Sequence, residues 1–109
     1  MDQLKICGNK PNCVCSLDSR EEFNINPIIT KLDLEEIERR ILSLPRVKLV
    51  EKENNYLHFV FISLIFRFKD DLEIYLGDSG KLHIRSSSRV GYSDLGVNRN
   101  RVESLRKLL

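Results

Sequence analysis

The sequence predicts an α+β fold: a four-stranded antiparallel sheet made of two hairpins, with two helices packed on one face. Two segments in which apolar and polar side chains alternate predict the hairpins, and two segments with apolar side chains at helical spacing predict the helices. A chain of 109 residues has room for one hydrophobic core. We therefore expect one domain over residues 1–109, with an irregular N-terminal arm over 1–29 and an α+β core over 30–109.

The helices are predicted from the residues that begin and end them. Asp33 is a suitable N-cap, Glu36 stands three positions later as in a capping box, and Pro45 ends the first helix. Asn98 is predicted to cap the second helix, with Val97 packed as an apolar staple at its start. Apolar side chains then recur at helical spacing in both segments, so one face of each helix should pack on the sheet.

The hairpins are predicted from their alternation and their turns. The first spans 47–62 around a pair of asparagines, and the second spans 66–90 around a glycine-rich turn. In the second hairpin, the apolar residues share one face only if Leu76 lies opposite Leu82. This register implies a three-residue loop with Gly80 in the left-handed conformation, which glycine adopts without steric cost.

The same register gives the charged side chains of the second hairpin defined positions. Asp70 falls on the core-facing row opposite Ser88, so its carboxylate needs donors, and Ser88 and a nearby arginine are the candidates. On the other face, acidic and basic side chains oppose one another across the two strands. These residues are Asp71, Glu73, Arg85 and Arg89.

The segment 85–101, RSSSRVGYSDLGVNRNR, is the most distinctive part of the chain. A strand that ends in serines and arginines, turns through two glycines and enters a helix offers hydroxyl, guanidinium and backbone N–H donors within one loop. We expect a polar recess for an anionic small molecule or a partner's carboxylate. Its binding residues would be Arg85, Ser86, Ser88, Arg89, Tyr92, Asp94, Asn98, Arg99 and Arg101, supported by Asp70, Asp71, Glu73, Gly91 and Gly96.

Two other functions stay open from the residues alone. One is a small hydrolase or transferase with Asp70 or Asp94 as general base, and the other is a scaffold in which the motif forms an internal salt-bridge network. The sequence has no Gly-x-Ser-x-Gly elbow, phosphate-binding loop or dinucleotide fingerprint, and no cofactor is predicted. An unpaired arginine in a recess would favour binding, whereas complete pairing of the charges would favour the scaffold.

The net charge of +2 is unevenly distributed along the chain. Residues 81–109 hold seven basic and two acidic side chains, which gives this part a net charge of +5. Such a charge permits an anionic partner, either a small molecule or a protein. Nucleic acid is the less favoured partner, because Tyr92 is the only aromatic side chain in this region.

The three cysteines lie close together near the N-terminus. An odd number excludes a complete disulfide framework, although one bridge between Cys7 and Cys13 is compatible with an oxidising compartment. The spacing of Cys7, Cys13 and Cys15 matches no standard zinc motif, so no metal site is predicted.

No transmembrane segment or leader is predicted. The longest apolar stretch, 57–66, is shorter than the about 20 residues that a membrane-spanning helix needs. Residues 1–10 lack the apolar region of a signal peptide. We expect a cytoplasmic protein as the chain stands, and a periplasmic or membrane-associated one if a leader has been removed.

Three parts of the chain carry a family resemblance. Asn12-Cys13-Val14, Asp70-Asp71-Leu72-Glu73 and above all the segment 85–101 resemble the family known as domain of unknown function 1499. The resemblance runs from about Cys7 to the C-terminal helix and implies a small domain of bacteria and plastids with no established biochemical activity. The family's pattern falls on the binding and supporting residues given above, except Tyr92. The chain departs from it at Cys15, where the family usually has serine.

Overall fold

The fold is built on a six-stranded antiparallel sheet that carries two helices. The computed structural model describes residues 4–109. Its strands are β1 (Cys13–Cys15), β2 (Ile28–Ile29), β3 (Val47–Glu53), β4 (Tyr56–Ile62), β5 (Lys69–Leu76) and β6 (Lys81–Ser88), and its helices are α1 (Leu34–Leu42) and α2 (Val97–Leu108). The strand order is β1-β6-β5-β4-β3, and β2 also pairs with β6. The α+β class and both hairpins are therefore confirmed.

The predicted number of four strands is wrong, because the N-terminal arm contributes two more. β1 and β2 both pair with β6, the strand that would otherwise form an unpaired edge. Strands of three and two residues are too short to leave an alternating pattern, so the arm was expected to be irregular. Residues 1–3, which open the predicted arm and the segment tested for a signal peptide, lie outside the described residues.

The predicted register of the second hairpin is confirmed. Leu76 lies opposite Leu82, and Asp70 lies opposite Ser88. Gly80 has a φ of 75°, as the three-residue loop requires, and its carbonyl accepts a hydrogen bond from the Thr30 N–H at 2.9 Å. The turn therefore also holds the end of β2 against the sheet.

The first helix begins as predicted. The Asp33 carboxylate accepts a hydrogen bond from the Glu36 N–H at 2.9 Å, which satisfies one of the free N–H groups at the helix start. The Glu36 carboxylate pairs with Arg39 and Arg40 on the helix surface, so the capping box is only half formed. Among residues 4–109 no helix is long and apolar enough to cross a membrane.

The predicted start of the second helix is wrong by two residues. Gly96, with a φ of 83°, is the N-cap, and Asn98 is a fully buried residue inside the helix. Because glycine has no side chain to accept from the helix, the carboxylate of Asp94, two residues before the N-cap, accepts hydrogen bonds from the Gly96 and Asn98 N–H groups at 2.9 and 3.1 Å. Val97 is exposed and forms no staple. The tertiary contacts of Asn98 explain why a residue that usually caps a helix lies within one.

The main hydrophobic core lies between one face of the sheet and both helices, as predicted. Ile37 and Ile41 of α1 and Val102 and Leu105 of α2 join inward-facing residues of the strands in this cluster. A smaller cluster lies on the opposite face of the sheet, beside β1, and consists of Cys7, Cys13, Cys15 and Phe23, with Leu17 packed against it. The arm therefore covers part of the face that the helices leave open.

Cys7 and Cys13 are joined by a disulfide bond, the one bridge that the sequence left open. We expect its removal in a Cys7→Ser/Cys13→Ser variant to lower the free energy of unfolding by about 2 kcal/mol, because the bond closes a short loop in the unfolded chain. Denaturant unfolding with and without a reducing agent measures this. The double variant, which has no bond to reduce, is the control. Equal stability of the oxidised and reduced wild type would contradict the expectation.

Candidate functional site

The residues predicted to form one polar recess lie on two faces of the sheet. Side chains alternate along β6, so Ser86 and Ser88 share the face that carries the helices with Ile84, whereas Arg85 and Arg89 lie on the opposite face. The structure therefore brings the predicted residues together as two separate groups. β6 is the strand common to both.

On the helix face, Asn98 is the centre of a buried network of hydrogen bonds. Its side-chain oxygen accepts from Ser86 Oγ at 2.7 Å and from Arg101 Nη1 at 3.1 Å. Its side-chain nitrogen donates to Asp94 Oδ2 at 2.7 Å and to Ser88 Oγ at 2.9 Å. All these polar groups are thus satisfied by one another where α2 begins.

Asp70, the carboxylate on the core-facing row, is paired with an arginine as the register predicted. Arg101 Nη1 lies 2.8 Å from Asp70 Oδ2, and the Arg101 guanidinium lies 4.7 Å from the centre of the Phe61 ring. Ser88, the other predicted donor, instead accepts the hydrogen bond from Asn98. The ion pair links the start of β5 to α2.

On the opposite face, Glu73 is held by two partners. Its carboxylate accepts a hydrogen bond from the Tyr56 hydroxyl at 2.7 Å and lies 3.3 Å from Arg85 Nη1. Arg85 also donates to Ser87 Oγ at 2.9 Å, but its buried Nε has no hydrogen-bond partner among residues 4–109. The arginine is thus fixed in place with one N–H group unsatisfied.

Asp71, on the same face, binds both a guanidinium and an imidazole. Arg89 donates two hydrogen bonds of 2.9 Å to its carboxylate, and His58 Nε2 lies 2.8 Å from Asp71 Oδ1. Burial alone would raise the pKa of Asp71, but the hydrogen bonds from Arg89 and His58 outweigh it and the pKa lies below its usual value. This carboxylate is therefore a charged partner in a network.

Sequence reasoning gave Tyr56 and His58 no part in these contacts. Both lie on β4, and it is the pairing of β4 with β5 that places His58 opposite Glu73 and Tyr56 opposite Tyr75. The predicted register covered each hairpin separately and said nothing of how the two hairpins meet. The alternation of side chains along β4 could have indicated these two residues, since it places Tyr56 and His58 on the same face of the sheet, away from the core.

The remaining predicted residues lie near the N-terminal arm or point into solvent. Arg99 donates to the backbone carbonyls of Asn24 and Glu22 at 3.0 and 3.3 Å and lines a small cavity of about 220 Å³. Gly91, with a φ of 90°, accepts a hydrogen bond through its carbonyl, and the Tyr92 side chain is exposed. Arg99 therefore ties α2 to the arm through two backbone carbonyls.

A larger groove of about 620 Å³ lies between the segment that follows α1, strand β4 and helix α2. Its walls are mainly apolar, and its polar lining contains three cations but no carboxylate. The lining residues are Leu44, Pro45, Arg46, Phe61, Val97, Asn100, Arg101, Ser104, Leu105, Lys107 and Leu108. Arg46 and Lys107 form no salt bridge within residues 4–109, although Glu103 lies near enough to Lys107 to interact with its charge. Only Arg101 of these cations belongs to the motif, so no sequence pattern indicated Arg46 or Lys107.

Both carboxylates named as general bases already have hydrogen-bond partners. Asp70 is engaged by Arg101. Burial alone would raise the pKa of Asp94, but hydrogen bonds from the Asn98 side chain and from backbone N–H groups outweigh it and lower the pKa. A general base at neutral pH needs a pKa near that pH. In the described part of the chain, no group of three or more His, Cys, Asp or Glu residues is placed to hold a metal ion.

Comparison with known proteins gives one result. A family model described as "Protein of unknown function (DUF1499)" matches residues 3–109, essentially the whole chain. This match confirms the resemblance carried by the segment 85–101. Comparisons with curated proteins and with solved structures give no match.

Proposed function

We propose that this chain, which belongs to the DUF1499 family of proteins of unknown function, is a non-enzymatic binding module for an anionic amphiphile. The observation that carries the proposal is the groove between β4 and α2, whose walls are apolar and whose charged lining consists of three cations. The apolar part of the amphiphile would lie between Leu44, Leu105 and Leu108, where it is removed from water. Its anionic head would lie against Arg46 and Lys107.

Two features of the groove favour an anion over a neutral ligand. Neither Arg46 nor Lys107 forms a salt bridge in the described residues, so a ligand would not have to displace one. The lining also contains no carboxylate that would repel a negative head group. Of the residues predicted to bind an anion, Arg101 is the one that this proposal places beside the ligand.

We propose that the other residues of the motif act as an internal network that fixes the sheet to α2 and to the arm. The supporting observation is that Arg85, Arg89 and Arg101 each pair with a carboxylate, while Arg99 binds two backbone carbonyls. This corresponds to the scaffold alternative for these residues. A hydrolase or transferase is less well supported, because Asp70 and Asp94 already have partners.

The disulfide bond also bears on the compartment. Bonds of this kind persist in oxidising compartments and are rare in the reducing cytosol. The Cys7–Cys13 bond therefore favours the periplasmic or membrane-associated alternative over a cytoplasmic location.

The groove is tested by titrating the protein with a fluorescent fatty acid, dansyl-undecanoate, and with its uncharged methyl ester. We expect saturable binding of the acid and weaker binding of the ester. Arg46→Glu/Lys107→Glu should weaken binding of the acid about tenfold, because an exposed ion pair contributes about 0.3 kcal/mol and reversing one charge costs about twice that at each of the two sites. Ser104→Phe, at an exposed position of the lining, should block the groove and abolish binding.

The matched control is Lys48→Glu, which reverses an exposed cation outside the groove and should leave binding unchanged. Equal affinity for the acid and the ester would show that the cations do not recognise the ligand. The absence of saturable binding, or binding that survives in Ser104→Phe, would refute the groove as the site.

A further inference from the structure

Exposed apolar side chains are concentrated in two loops of the domain. Of the twelve large apolar residues that are exposed within residues 4–109, seven belong to the β4–β5 loop or to the connection between β6 and α2, and an eighth is the first residue of α2. They are Leu64, Ile65, Phe66, Phe68, Val90, Tyr92, Leu95 and Val97. Single exposed apolar residues need no explanation, but their concentration in two segments of the chain favours an interaction surface there.

The two loops leave the sheet at the same end. Ile62, the last residue of β4, pairs with Lys69, the first of β5. The Arg89 N–H donates to the Lys69 carbonyl at 3.1 Å, so the chain leaving β6 starts beside the β4–β5 loop. We call the exposed apolar residues of loops 63–68 and 89–97 the apolar tip.

The apolar tip is held in shape by its own hydrogen bonds. Two hydrogen bonds join Ser63 and Phe68 at the base of the first loop. The Ser63 N–H donates to the Phe68 carbonyl at 2.9 Å, and the Ser63 hydroxyl accepts from the Phe68 N–H at 2.8 Å. The Phe66 and Phe68 rings stack with centres 5.5 Å apart. Arg67 and Leu95 both have a positive φ, which non-glycine residues seldom adopt. Each of the two loops therefore contains one residue in a backbone conformation that is unfavourable for a non-glycine residue.

The charges around the apolar tip are mainly positive. Arg67 and Lys69 are exposed and have no acidic partner in the described chain, and Arg46 lies at the same end, where its carbonyl accepts from the Ile62 N–H. No carboxylate occurs between residues 63 and 69. Asp70 and Asp94 are engaged by Arg101 and by the start of α2.

From this arrangement we propose that the apolar tip inserts into a membrane surface that contains anionic lipids. Aliphatic and aromatic side chains would enter the boundary between head groups and acyl chains, while Arg67 and Lys69 would lie among the phosphates. Phe, Tyr and Arg also occur in protein interfaces, so it is the unpaired positive charge of Arg67 and Lys69 beside the apolar side chains that favours an anionic membrane over a protein partner. The tip shares Val97 and the nearby Arg46 with the groove, but insertion needs no ligand in the groove, and the test separates the two proposals.

The test uses the absence of tryptophan from the chain, which allows a single reporter to be introduced. Phe66→Trp places it in the apolar tip, and Ile29→Trp places it at an exposed apolar position on β2. With vesicles of phosphatidylcholine and phosphatidylglycerol, we expect a blue shift and quenching by brominated acyl chains for Phe66→Trp only. A shift that is equal in both variants, or absent from Phe66→Trp, would overturn the proposal.

Sedimentation with the same vesicles tests the contribution of the apolar tip to affinity. Ile65→Asp/Phe66→Asp should weaken binding about tenfold or more, since it replaces two inserted apolar side chains with anions. The matched control, Ile29→Asp/Val50→Asp, changes two exposed apolar residues elsewhere and should bind like the wild type. Equal loss in both variants would contradict insertion through the tip.

Two further outcomes separate this proposal from its competitors. The groove-blocking variant Ser104→Phe should bind vesicles like the wild type, whereas loss of binding would assign the lipid contact to the groove and overturn insertion of the tip. Without lipid, the protein should sediment as a monomer in analytical ultracentrifugation. Self-association that Ile65→Asp/Phe66→Asp abolishes would show that the tip is a protein interface instead.

Discussion

Replacing Asn98 with alanine is expected to lower the free energy of unfolding by about 3 to 5 kcal/mol. The amide is fully buried and serves both as acceptor for Ser86 and Arg101 and as donor to Asp94. Alanine would leave these groups without their partner in a site that water does not readily reach, and a buried polar group without a partner costs more than the bond itself contributes.

Urea unfolding followed by circular dichroism measures this effect. Asn100→Ala is the matched control, because Asn100 is exposed on the same helix and should lose about 0.5 kcal/mol or less. Asn98→Asp should be at least as destabilising as Asn98→Ala, since it places a second carboxylate beside Asp94 and removes the donors. A loss for Asn98→Ala no larger than that for Asn100→Ala would show that the network does not hold α2 on the sheet.

Replacing Gly80 with alanine is expected to lower the free energy of unfolding by about 3 kcal/mol. An added Cβ would lie 2.2 Å from the carbonyl oxygen of Thr30, which is backbone and cannot rotate away. Gly80 also has a φ of 75°, where an L-residue is strained. Relief of the clash would move β2 away from β6 and break the hydrogen bond from Thr30.

A comparison of Gly80→Ala with Gly96→Ala separates the steric clash of the added Cβ from the backbone strain of a positive φ. Gly96 also has a positive φ, but an added Cβ there would meet no atom within 4 Å. It should therefore cost only about 1 kcal/mol, the strain of the left-handed conformation. Thermal and denaturant unfolding of the two variants give the comparison. Equal losses would mean that the loop around Gly80 moves freely enough to accept the added methyl group.

The sequence by itself determined the features that depend on neighbours along the chain. Alternation of apolar residues set the register of the second hairpin, because a shift by one residue would turn the apolar side chains away from the core. The loop length then required a positive φ at Gly80. Asp33 caps α1 through a residue three positions away, a contact that needs no other part of the fold. The motif also sufficed to identify the family.

The tertiary structure decided the features that join residues far apart in the chain. β1 and β2 are too short to show a pattern, and they become strands because β6 offers them an unpaired edge. Asn98 lies within α2, and not at its cap, because Ser86 and Asp94 bind its buried amide. The motif is divided between two faces because neighbouring side chains of a strand point in opposite directions. The groove and the apolar tip likewise arise only where separate elements meet, since no local pattern specifies which loops share an end of the sheet.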